Sequence, residues 1–92
     1  MKNVEKYIFE EALAYYGSEA QIKMLYEEMA ELQIAVCKNG RGADNLDNIA
    51  EEIADVGIML DQMAIEFEVE DAVAEQRAFK VRRLRERIEN DA

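Results

Sequence analysis

The sequence predicts an all-α protein, and three observations carry that prediction. Proline is absent and glycine is sparse; half of the 92 residues are hydrophobic while 35% are charged; and the apolar residues recur at helical spacing. The short connections between the expected helices favour antiparallel neighbours, so the fold class is an antiparallel four-helix bundle-like domain.

Residues from about Asn3 to Tyr16 form the first expected helix, with Ile8, Ala12 and Tyr15 on one stripe and Phe9, Leu13 and Tyr16 on the next. Gly17 closes it. Ser18 followed by Gln21 has the form of a capping box, so a second helix is expected to start at once and run to about Asn39, before Gly40. Asp44 or Asn45 caps a third helix, placed at about Asn45 to Phe67, and a fourth is expected over about Asp71 to Glu89. No linker or low-complexity run interrupts residues 1–92, which read as one domain.

Helical spacing predicts a buried seam of Leu25, Met29, Leu32 and Val36 on the second helix, and one of Ile49, Ile53, Val56, Leu60, Met63 and Phe67 on the third. One residue ahead of each seam runs a parallel stripe: Met24, Glu28, Glu31 and Ala35, then Asn48, Glu52, Asp55 and Met59. Carboxylates thus occupy the middle of two stripes with apolar ends. Glu31 and Glu52 are equally distant from the Gly40-Arg41-Gly42 turn, so a hairpin folded there sets the two acidic patches at one height. Clustered carboxylates beside a core repel one another and lose hydration, a cost that a hard divalent cation such as Mg²⁺ removes. The competing reading is a solvated acidic face, common in a chain with twenty-one acids.

The fourth helix carries a basic stripe, Gln76, Lys80, Arg83 and Arg87, suited either to a phosphate or to surface ion pairs. Ala50, Ala54 and Gly57 make a small-residue strip on the third helix. Glycine there is costlier than alanine by up to about 1 kcal/mol, which suggests close approach by another helix. Two apolar stripes on the first helix, and apolar residues outside the main seams of the second and third, predict a homodimer or homotetramer.

Composition excludes several classes. A formal charge of −10 repels a nucleic-acid polymer, although a small phosphorylated ligand remains accessible through a cation. With no histidine and one cysteine, neither the familiar zinc spacings nor a Glu-x-x-His di-iron site can be assembled, and no internal disulfide can form. Cys37 is expected at the core or its boundary. The lone cysteine fits a reduced cytoplasm; no apolar run is long enough to cross a bilayer and Met1-Lys2-Asn3-Val4-Glu5 lacks a signal-peptide core, so a soluble, cytoplasmic chain is expected.

Glu28-x-x-Glu31, a spacer of twenty residues, and Glu52-x-x-Asp55 together resemble the signature of the all-α nucleoside triphosphate pyrophosphohydrolases, the MazG-like group, and most of all its phage-type single-domain members. The resemblance covers the chain from about Tyr16-Gly17 to Lys80-Val81-Arg82-Arg83-Leu84-Arg85. It implies Mg²⁺ held by Glu28, Glu31, Glu52 and Asp55, with water attacking the α-phosphorus to release a monophosphate and pyrophosphate. It also implies that Glu28 or Glu31 accepts the proton, that Lys80 and Arg83 contact substrate phosphates, and that Gln21 and Lys23 lie near the nucleotide. Nucleotide-pool housecleaning or hydrolysis of dUTP or dCTP would follow. The alternative class is a noncatalytic helical oligomerisation module.

Overall fold

A computed structural model of the protein describes residues 3–91, which form α1 (Asn3–Tyr16), α2 (Ser18–Gly40), α3 (Leu46–Glu66) and α4 (Glu70–Asp91). There is no strand among the described residues, and no helix is long and apolar enough to cross a membrane. Met1 and Lys2, part of the stretch read for a leader, and Ala92 lie outside the described residues.

The helix boundaries fall within a residue or two of those expected, and the connections explain why. Gly17 alone joins α1 to α2: at φ 90° it adopts a conformation open to glycine, and its N–H donates to the Leu13 carbonyl at 3.0 Å. Between α2 and α3, Gly42 at φ 100° reverses the chain, while the N–H groups of Arg41, Gly42 and Ala43 donate to carbonyls of the last turn of α2. The expected capping box at Ser18 does not form; Ser18 lies inside α2 and no side chain caps that helix. Gln21 turns into the core instead. Asn45 is the N-cap of α3, but its side chain serves another purpose: its Nδ2 donates to the Ala35 carbonyl at 2.9 Å and ties the start of α3 to α2.

α2 and α3 pack side by side, α1 lies across both, and α4 has close backbone neighbours only in α3. The buried set is small: Phe9, Leu13, Ala35, Met59 and Met63, with Gln21 and Gln62. This corrects the expected seams. Met29, Val36, Ile53, Leu60 and Phe67 are exposed, whereas Ala35 and Met59, assigned to the flanking stripes, are inside. The interface is centred between seam and stripe, along Gln21, Leu25, Glu28, Leu32 and Ala35 of α2 and Ile49, Glu52, Val56, Met59 and Met63 of α3. An apolar helix face is upward of about 100° wide, so its periodicity leaves the centre of contact undetermined within that arc.

On α1, only the Phe9–Leu13 stripe is buried; Ile8, Tyr15 and Tyr16 are exposed. The strip at Gly57 also departs from expectation, since a Cβ built there would meet nothing within 4 Å and no helix of this chain covers it. Every residue of α4 from Asp71 to Asp91 is exposed. The chain is accordingly extended, with a radius of gyration of 16.1 Å against about 12 Å for a compact domain of this length.

Candidate functional site

Among the described residues one side-chain hydrogen bond is buried between α2 and α3: Gln21 Nε2 donates to Gln62 Oε1 at 2.7 Å. Residues 21 and 62 are symmetric about the point between 41 and 42, and so are the pairs Glu28 with Asp55 and Glu31 with Glu52. The same register therefore sets the acids in two facing pairs, as the sequence predicts. Carboxylate oxygens of Glu28, Glu31 and Glu52 all lie within 4.8 Å of one another, and Asp55 is near enough to act electrostatically on both Glu28 and Glu52.

Burial and like charge act together on this cluster. Loss of hydration, and then repulsion from Glu31, Asp55 and Glu52, push the Glu28 carboxyl up to about 7. Glu52 is raised in the same way, by lost hydration first and by Glu31 and Asp55 next. Glu28 Oε2 and Glu52 Oε2 are buried without a hydrogen-bond partner. Two ionised carboxylates have no donor to share, so each facing pair, Glu28 with Asp55 and Glu52 with Glu31, is relieved only when a proton or a cation sits between its members.

No ion pair among the described residues offsets this charge. Among the described residues the ion pairs are Lys6–Glu70 at 2.9 Å and Arg85–Glu89 at 3.0 Å, neither of which involves the cluster. A group of convergent carboxylate oxygens, some buried and unpartnered, suits a hard divalent cation that completes its shell with water or phosphate oxygens.

The remaining predicted residues sit elsewhere. Lys80 and Arg83 lie on the exposed α4, which has no close backbone contact with α2, and Arg83 instead stacks 5.7 Å from the centre of the Phe79 ring. Neither forms an ion pair with the acids among the described residues. Gln21 is buried with its amide engaged by Gln62, and Lys23 is exposed. Cys37, expected at the core or its edge, is exposed and free. Gln62 was not singled out in the sequence, yet a signal existed: it prolongs the stripe Asn48, Glu52, Asp55, Met59 by one helical step, as Gln21 prolongs its partner stripe backwards.

Compared with protein-family models, curated proteins and solved structures, the chain matches none.

Proposed function

We propose that the carboxylate cluster is the metal centre of a phosphoanhydride hydrolase. The particular activity it suits is that of a Mg²⁺-dependent nucleoside triphosphate pyrophosphohydrolase, releasing a nucleoside monophosphate and pyrophosphate. The observation that carries this reading is the convergence of Glu28, Glu31 and Glu52 with two buried, unpartnered carboxylate oxygens and, among the described residues, no ion pair to satisfy them. The resemblance of Glu28-x-x-Glu31 and Glu52-x-x-Asp55 to the MazG-like signature supplies the reaction.

In this reading Glu28, Glu31, Glu52 and Asp55 hold the metal. A bound Mg²⁺ neutralises triphosphate charge and lowers the pKa of a coordinated water. Glu28 or Glu31 takes the proton from the attacking water; an acceptor poised near neutral pH is effective in that role. Lys80 and Arg83 neutralise outer phosphate oxygens. Because neither cation pairs with the acids among the described residues, a second copy supplies them, and the working form is a homodimer or homotetramer in which the antiparallel helices complete a bundle. Gln21 and Lys23, two residues apart at the start of α2, border the nucleotide. A reduced cytoplasm accommodates the free Cys37.

Incubation with a panel of canonical and modified nucleoside triphosphates, dUTP and dCTP included, in the presence of Mg²⁺ tests the proposal through pyrophosphate release. Release that depends on Mg²⁺ supports it. Failure across the panel, with no calorimetric binding of a nonhydrolysable triphosphate, would leave the noncatalytic oligomerisation module, which the wide exposed apolar surface favours.

A further inference from the structure

The described chain holds far more apolar surface than it covers. Twenty-one large hydrophobic side chains are exposed while five hydrophobic residues are buried. Its accessible surface of 7417 Å² exceeds by about 1900 Å² the roughly 5500 Å² of a compact monomer of 10.6 kDa. An excess of that size per copy is what an obligate protein interface removes.

Charge is divided in the same way. Residues 77–87 contain six cations and one acid, a net +5, whereas residues 1–76 contain five cations and eighteen acids, a net −13. Every residue of the basic segment is exposed. On one face it carries Val81, Leu84 and Ile88, all more than half exposed, with Lys80 and Arg87 alongside. Elsewhere, α1, α3 and the first turns of α4 enclose a groove of about 720 Å³ whose apolar wall includes Phe9, Gly57 and Ile58 and whose charged residues are Glu5, Asp61 and Arg77, a net negative lining. The open space above Gly57 is the floor of that groove.

We propose that α4 is an arm that docks on a second copy of this chain, its Val81–Leu84–Ile88 ridge lying in the groove over Gly57 with Arg87 facing the partner's Glu5 and the partner's Asp61. The inference rests on the reading that the chain self-associates and adds the surface by which it does so. Pairing of two α4 arms with each other would set +5 against +5, whereas the acidic body attracts the arm. A reciprocal exchange of arms makes a closed two-fold dimer.

Sedimentation equilibrium on the parent chain and on the double variant Leu84→Glu/Ile88→Glu tests this. Both positions are exposed, so helix content by circular dichroism should persist while association weakens by about tenfold or more. A parent that stays monomeric at micromolar concentration overturns self-association itself. A parent that assembles, with a variant that assembles equally well, overturns the arm and leaves self-association standing. The charges give a second measurement: Arg87→Glu should weaken assembly, and mixing it with Glu5→Lys/Asp61→Lys should restore it. No recovery on mixing overturns the groove as the docking site.

Discussion

Gln21 and Gln62 share the shortest side-chain hydrogen bond of the described chain, 2.7 Å and buried, and the register they set is the one that brings Glu28 to Asp55 and Glu31 to Glu52. The two glutamines stand a heptad outside the acids on each helix, Gln21 before Glu28 and Gln62 after Asp55. A slip of either helix would part the glutamines and the carboxylate pairs together.

Replacing one glutamine should therefore cost more than replacing both. Gln62→Leu strands the Gln21 amide inside, for about 1–3 kcal/mol, whereas Gln21→Leu/Gln62→Leu exchanges the pair for apolar contact and should recover most of that loss. Urea unfolding of the two singles and the double measures the coupling. Additive losses would remove the register role.

Glu52→Gln sets charge against function. It preserves shape, removes one of four clustered charges, and should lower pyrophosphate release by about 10² or more if the acids hold a catalytic cation. In chelator the variant should be at least as stable as the parent, and it should gain less from added Mg²⁺. Parental activity with parental Mg²⁺ stabilisation would sink the site.

The cluster also dictates a pH dependence. Glu28 titrates near 7 in the folded chain against 4.5 ordinarily, so between those values the folded state holds a proton that the unfolded state has lost. Metal-free stability should accordingly fall as pH rises from 4.5 to 7 and level off above. Thermal melts in chelator should show this slope, and Glu28→Gln should flatten it. Mg²⁺ should flatten it too, by replacing the proton as counter-charge.

Lys80→Ala and Arg83→Ala should each weaken triphosphate turnover by about one to a few kcal/mol in transition-state energy while leaving the melting temperature nearly unchanged, since α4 buries neither residue. Mixing the Lys80→Ala/Arg83→Ala chain with the Glu52→Gln chain should restore part of the activity, because the intact acids of one copy then meet the intact cations of the other. Steady-state assays of the mixture against each variant alone decide the matter. No gain on mixing would place the cations with their own chain's acids or remove them from the reaction.

The helices, their ends and the facing of the acids were legible in the sequence, because each is a local property. Gly17 and Gly42 mark positions of positive φ, and equal spacing from the turn suffices to bring Glu31 opposite Glu52. Which arc of α2 and α3 is buried was a tertiary decision. Leu25 and Met29 are alike in the one-dimensional pattern, yet one is half-buried and the other exposed, because the contact between the helices is centred on Gln21–Gln62 and on the small Ala35. The same holds for Ser18, whose capping pattern is overridden once Gln21 finds a better partner forty-one residues away. It holds most of all for α4, whose basic stripe is plain in the sequence but whose close backbone contact with α3 alone is set by the α3–α4 turn, a long-range arrangement that no local preference specifies.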